Sequence, residues 1–278
     1  MPAARRDTAD GGFPYRLIAT DLDGTLLRED QSVSARSREA LAAATAAGAA
    51  HIVVTGRAVP WTRHILEDLG YEGLAVCAQG AQLYDAGARR LLTSVTLDRA
   101  VARLAVERIE AVVGTLALAV SRDGLDGNVV CEPDYVTTGD LPYVPFTDRA
   151  EAWTEPVNKL YVQRPGLGDD ELTEAARAAV GGLVQVVMAG PGIVELLPPG
   201  LTKATGLSLA ARRLGVQRAE TIAFGDMPND LPMFGWAGYG VAMGNAHETV
   251  RAVADEITAS NEDDGIARTL ERLLSTGA

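Results

Sequence analysis

The segment RLIATDLDGTLL, residues 16–27, places the tightest constraint on this chain: a short apolar run breaks off in two aspartates, two positions apart, and a glycine. Such a run reads as a buried strand entering a loop. The pattern then recurs. Ser34 opens an alanine-rich stretch closed by Gly48, which predicts a helix with an N-cap and a C-terminal glycine. HIVVTGR (51–57) is a second strand, Trp61 to Leu69 a second helix stopped by Gly70, and LAVCAQG (74–80) a third strand. This alternation predicts an α/β fold, a doubly wound and mostly parallel sheet with helices on both faces.

After Tyr84 the pattern changes. QLYDAGARRLLTSV predicts a hairpin turning at Asp85-Ala86-Gly87, followed by a helix near Arg99–Val113 and short strands in LALAV and NVVCEPDYV. NKLYVQRPG, a helix near Asp170–Val180 and QVVMAGPGIVELLPPG come next. Adjacent strands with no helix between them point to antiparallel pairing in an α+β insert. From Leu196 the alternation resumes with a helix over Lys203–Leu214, the strand TIAFGD, a short helix, the strand GYGVAMG and a helix over Glu248–Ala254. The expected organisation is a disordered leader (1–15), an α/β core (16–85 and 194–278) and an inserted α+β cap (86–193).

Composition narrows the partners. The 278 residues carry 25 Lys+Arg against 37 Asp+Glu, a formal charge of −12. Phosphate backbones and anionic membranes attract the opposite sign, so neither nucleic acid nor membrane is an expected partner. Only Cys77 and Cys131 occur, without CxxC spacing, which excludes a disulfide framework or thiolate zinc site and predicts two small buried hydrophobes. The first residues lack the apolar stretch of a secretory signal, and no apolar run approaches a spanning length. A soluble, cytoplasmic protein is expected.

Asp21 and Asp23, at i and i+2 of an extended segment, face one side. In an open α/β sheet the ligand crevice lies beyond the carboxyl ends of the strands, where this pair falls. Taken alone, Asp-x-Asp-Gly is equally at home in a solvated acidic turn. Other strand ends tip the balance. Thr55 and Gly56 end the second strand, and Asp226, Asn229 and Asp230 follow a later one. Small hydroxyl and glycine residues there offer donors to an anion. Carboxylates of Asp21, Asp226 and Asp230 gathered at one place must protonate or bind a cation, since two like charges 4 Å apart repel by about 4 kcal/mol at an effective dielectric of 20. Oxygen ligands beside a phosphate favour Mg²⁺. The chain's only lysines are Lys159 and Lys203, and Lys203 opens a helix, where the dipole disfavours it. A required point charge near Asp21 and an exposed surface lysine are both open readings of that position.

Together, DLDGTL (21–26), VVTGR (53–57), Lys203 in PPGLTKATGL and GDMPNDLPMF (225–234) resemble the four motifs of the haloacid dehalogenase-like hydrolases. Their order and the long insert between the second and third resemble the Cof-type phosphatases with a class IIB cap, as does the ending SNEDDGIARTLERLL. The resemblance runs from Arg16 to Leu274. It implies a Rossmann-like core and a Mg²⁺-dependent phosphatase acting through an aspartyl-phosphate on a small phosphorylated metabolite, such as a sugar phosphate or phosphorylated cofactor. It makes Asp21 the nucleophile, Asp23 the general acid/base, and Thr55 and Lys203 the groups that hold the phosphoryl and neutralise its charge. Asp21, the backbone carbonyl of Asp23, and Asp226 would hold the metal, with Asn229 and Asp230 completing or supporting that site. One departure is Gln79, which stands where the family carries Asn before Gly, so that residue's contact at the cap hinge or to substrate is not carried over.

Weaker candidates remain. Arg57 is expected either to reach a substrate anion or to act as a cap or surface residue. Gly56 and Asn229 join the expected substrate contacts. His51, His64 and His247 share no metal-ligand spacing, and Trp61, Trp153 and Trp236 read mostly as packing. In the insert, Arg122, Glu132, Lys159 and Arg164 are specificity candidates, though a solvated face is the more ordinary reading of each. The alternative functions are a phosphotransferase or mutase and a non-catalytic binding module. A monomer or homodimer is expected.

Overall fold

The computed structural model describes residues 13–137 and 143–276. The expected leader lies largely outside the described residues. In chain order the first strands are β1 (Leu17–Thr20), β2 (Ala50–Val54), β3 (Leu74–Cys77), β4 (Gln82–Asp85) and β5 (Arg90–Ser94). Helices α1 (Ala35–Ala46) and α2 (Val59–Asp68) lie between the first three. The insert contains α3 (Arg99–Val113), β6 (Ala117–Arg122), β7 (Val129–Cys131), β8 (Tyr143–Pro145), β9 (Val157–Gln163), α4 (Asp169–Val180), β10 (Gln185–Gly190) and β11 (Ile193–Leu197). The chain closes with α5 (Lys203–Leu214), β12 (Thr221–Gly225), α6 (Leu231–Trp236), β13 (Tyr239–Ala242), α7 (Glu248–Arg251), β14 (Glu256–Ile257) and α8 (Gly265–Thr276).

The strands form two sheets. One has eight strands in the order β14-β13-β12-β1-β2-β3-β4-β5, parallel from β14 to β3 and antiparallel over β4 and β5. Its central strands are buried on both faces, which is why they read as continuous apolar runs. Residues 193–197 belong to the other sheet, of six strands in the order β10-β11-β9-β6-β7-β8, antiparallel except between β7 and β8.

Sheet membership follows the pairing of β5 and β11. β5 pairs with β4 across the hairpin, with Arg90 opposite Asp85, so the chain leaves the first sheet after Ser94. β11 pairs with β9 and β10, so the chain returns to the first sheet after Leu197. Two elements are shorter than expected: β3 stops at Cys77, and α7 at Arg251. Ala78 and Gln79 then turn with positive φ, which ends the strand.

Local signals explain the helices. Ser34 accepts from the Ser37 amide at 3.0 Å and starts α1, and Asp98 accepts from the amides of Ala100 and Val101 at 2.8 and 2.9 Å to start α3. Alternation sorts the insert's sheet. Leu118, Val120, Leu160, Val162 and Leu196 pack on one side with Ala105 and Ile109 of α3 and Leu172 and Ala176 of α4. Ala117, Ala119, Cys131 and Tyr161 point the other way and join Trp61 of α2. Cys77 and Cys131 are both free and buried. Among the described residues no helix is long and apolar enough to cross a membrane.

Candidate active site

β2, β1 and β12 are parallel neighbours, so their carboxyl ends align. Thr55, Asp21 and Asp226 are the first residues past those ends. All three are buried, Thr55 fully. Past β1 the chain turns tightly, with Gly24 at φ +71°, and a Cβ there would lie 2.4 Å from Asp226 Oδ2. Only glycine lets that turn press against the β12 end. Thr25 follows and donates its hydroxyl to Asp226 Oδ1 at 2.9 Å.

Lys203 is the first residue of α5, whose N-cap Thr202 accepts from the Thr205 amide at 3.3 Å. It is not a surface lysine: its Nζ is buried and donates to Asp21 Oδ1 at 2.7 Å and to Asp230 Oδ1 at 2.6 Å. The second oxygen of Asp230 accepts from the amides of Asp226 and Met227, both at 3.0 Å. Asp230 thus ties the loop after β12 to Lys203. Asn229 donates from Nδ2 to Gln79 Oε1 at 3.2 Å, while its buried Oδ1 has no hydrogen-bond partner.

The carboxylates of Asp21, Asp226 and Asp230 each place an oxygen within 4.8 Å of the others. Burial pushes Asp21 well above the usual carboxylate range, and the charges of Asp230 and Asp226 add to this against the pull of Lys203. Burial likewise raises Asp226 to about 7, reinforced by Asp230 and opposed by the Thr25 hydroxyl and Lys203. Burial opposes the charge on Lys203, but Asp21 and Asp230 outweigh it and hold the ammonium protonated above its usual range. One buried ammonium among three carboxylates leaves negative charge uncompensated. An oxygen-only donor set in this state, with the buried Oδ1 of Asn229, next to Asp230 in the chain, unpartnered, fits a hard divalent cation such as Mg²⁺.

Asp23 stands outside this cluster. Its side chain is half exposed and receives Arg57 Nε at 2.8 Å, with Arg57 Nη2 also on Asp23 and on Gln31. The Arg57 side chain, expected either on an anion or at the surface, is therefore committed to Asp23. Thr55 Oγ1 accepts from the Arg57 amide at 3.1 Å, and Gly56 packs against Gln79, whose Nε2 a Cβ would approach to 2.7 Å.

Of the insert candidates only Lys159 reaches this region, donating to Gly56 O at 2.7 Å. Arg122 pairs with Glu155, Glu132 with Arg149, and Arg164 donates to the carbonyls of Val113 and Pro165. His51 is half-buried, its Nε2 hydrogen-bonded to the Thr20 hydroxyl at 2.8 Å, His64 is exposed, and His247 caps α7. Sequence reasoning passed over Thr25 and Glu195. The signal for Glu195 was an acidic residue standing alone inside the apolar run GIVELL.

A family model described as haloacid dehalogenase-like hydrolase matches residues 18–270. The chain belongs to the haloacid dehalogenase-like hydrolases. As a haloacid dehalogenase-like hydrolase it is 31% identical to the 5-amino-6-(5-phospho-D-ribitylamino)uracil phosphatase YitU of Bacillus subtilis, over 94% of this chain and 98% of the relative. A solved structure from Bacteroides thetaiotaomicron, described among phosphatases of the haloalkanoate enzyme superfamily, superposes with a TM-score of 0.77 at 27% identity, covering 93% of this chain and 95% of the other. The Arabidopsis thaliana chloroplastic endoribonuclease YBEY is 28% identical over 93% of this chain, which spans only 46% of its length. The haloacid dehalogenase-like match thus covers both sheets, in agreement with the resemblance of the four motifs.

Proposed function

We propose that this chain, a phosphatase of the haloacid dehalogenase-like hydrolases, is Mg²⁺-dependent and hydrolyses a small phosphorylated metabolite through an aspartyl-phosphate on Asp21. The observation that carries the reading is the buried Lys203 ammonium between Asp21 and Asp230 at the carboxyl ends of parallel strands. A surface or purely structural role gives no reason to bury three carboxylates against one ammonium.

Phosphate monoesters hydrolyse extremely slowly without a catalyst, so positioning and charge stabilisation must carry the reaction. An oxygen of the Asp21 carboxylate attacks phosphorus and the bond to the leaving oxygen breaks. Asp23 gives its proton to that oxygen, releasing an alcohol. In the second step Asp23 takes a proton from water, whose oxygen attacks phosphorus, and the bond to Asp21 breaks with release of inorganic phosphate. Lys203 orients Asp21 and, with the Thr55 hydroxyl and the Gly56 backbone, stabilises charge on the phosphoryl oxygens. Arg57 holds Asp23 beside the site, and a carboxylate there distinguishes phosphoryl transfer from carbon–halogen cleavage, which needs no leaving-group acid. Asp21, the backbone carbonyl of Asp23, and Asp226 would hold Mg²⁺, with Asn229 and Asp230 in support. The ion supplies electrostatic stabilisation of the transferred phosphoryl group.

The two-sheet organisation supports a division of labour, with residues 13–94 and 198–276 as catalytic core and 95–197 as the cap that selects the leaving group. The deciding experiment is a screen of phosphorylated metabolites, including the substrate in YitU's name, with and without MgCl₂. Mg²⁺-dependent release of inorganic phosphate, abolished by Asp21→Asn and Asp23→Asn in folded protein, is expected. Transfer to another alcohol without phosphate release would favour a phosphotransferase. Binding without turnover would leave only a binding module.

A further inference from the structure

Lys159 and Glu195 form an ion pair on β9 and β11, 1% and 2% exposed, on the face of the six-stranded sheet that carries Tyr161 and Trp61's neighbours. Neither belongs to the motifs at the strand ends, yet both reach them. Lys159 Nζ lies over the Tyr161 ring, 4.6 Å from its centroid, and donates out of its own sheet to the Gly56 carbonyl at 2.7 Å. Glu195 Oε1 receives the ammonium, and its Oε2 accepts from Gln79 Nε2 at 2.7 Å. Gln79 in turn donates its backbone amide to Thr55 O at 3.1 Å and accepts from Asn229 Nδ2 at 3.2 Å. The loop that carries Thr55 is therefore held from both sides by one charged pair of the other sheet.

Stability does not account for this arrangement. A buried ion pair is often no better than apolar residues of like volume, because desolvation offsets the attraction. An ammonium has three donors, and this one spends two on Glu195 and on a carbonyl of the opposite sheet. Lys159 is also one of only two lysines in the chain, the other being the partner of Asp21.

We propose that Lys159 and Glu195 are positioning residues that fasten the Thr55–Arg57 loop and Gln79 beneath the cap sheet, fixing Thr55 where the phosphoryl group is transferred. The proposal rests on the phosphatase reading for its kinetic consequence and on geometry alone for the latch. Gln79, at the position where the family carries Asn, is the joint between the pair and Asn229. Because the contacts orient a loop and touch no leaving group, they act on turnover more than on substrate affinity.

The test is the double variant Lys159→Met/Glu195→Gln, which removes both charges together and leaves no buried charge uncompensated. Amide hydrogen exchange is read by mass spectrometry on the peptide spanning residues 55–61, and on β1 and β12 as internal references. The proposal expects exchange at 55–61 to accelerate about tenfold or more while the references stay protected. It also expects kcat on p-nitrophenyl phosphate with MgCl₂ to fall by about 10- to 100-fold, with KM changed much less. Wild-type exchange at 55–61, or wild-type kcat in the folded variant, overturns it. Wild-type protein inactive on every phosphate would sink the phosphatase reading, while the exchange measurement would still decide the latch. If the double variant does not fold, the isosteric Glu195→Gln change alone is read by the same exchange measurement, with the same two outcomes.

Discussion

Lys203 Nζ lies 2.7 Å from Asp21 Oδ1 across 182 positions of sequence, and both side chains are buried. The contact joins the end of the first strand to the start of the helix that follows the inserted sheet. It makes the return of the chain from that insert a condition for completing the site.

Removing that cation should be severe in two ways. Lys203→Met leaves Asp21 and Asp230 buried without a counter-ion, so stability in urea unfolding should fall by about 3–5 kcal/mol. Turnover of any accepted phosphate should fall by about 10²- to 10³-fold, measured under conditions where the variant remains folded. Unchanged turnover would remove Lys203 from the chemistry.

Much of this was readable before any coordinates. Apolar runs that end in Asp21, Thr55 and Asp226 mark the strand ends, and a lysine at a helix start that the dipole disfavours marks Lys203. What periodicity does not carry is partner choice. Arg57 faces Asp23 because β2 lies beside β1, and Thr25 meets Asp226 because Gly24 brings the turn close. Which sheet a strand joins is likewise set by its partners: β11 is placed by β9 and β10, and β9 lies some thirty residues upstream of it.

Thr25 should matter beyond its size. Thr25→Val removes the hydroxyl that donates to Asp226 and keeps the volume of the side chain. The concentration of MgCl₂ needed for half-maximal activity should rise about 10- to 100-fold, the usual scale for losing a partner of a metal ligand. An unshifted Mg²⁺ titration would show that Asp226 is oriented by other means.

Gly24→Ala meets two obstacles at once, a positive φ and a Cβ only 2.4 Å from Asp226 Oδ2. A loss of about 1–3 kcal/mol in thermal or urea unfolding is expected, with activity falling more than stability because the displaced group is Asp226 itself. A fully active and stable Gly24→Ala protein would contradict the close packing of the two loops.

His51 gives a pH test. Burial pulls its pKa down to about 4 from 6.5. The unfolded chain then binds more protons than the folded one between those values, so this contribution is complete above about pH 6.5 and is lost as pH falls toward 4, on the order of 3 kcal/mol in all. Asp226 acts in the opposite sense, since its folded pKa near 7 lies above its unfolded value and its contribution fades as pH rises. The comparison is therefore made between wild type and His51→Gln, whose difference in unfolding free energy should shift against wild type as pH drops. A pH-independent difference would mean that the folded state does not hold His51 neutral.

The most direct measurement is chemical trapping of the phosphorylated protein during turnover of an accepted substrate with MgCl₂, by acid quench, borohydride reduction and peptide mass spectrometry. The account predicts that the peptide containing Asp21 is the one converted, with Asp21 as the reduced residue and no conversion in Asp21→Asn. Phosphoryl transfer to another side chain, or sustained turnover by the Asp21→Asn protein, would contradict it.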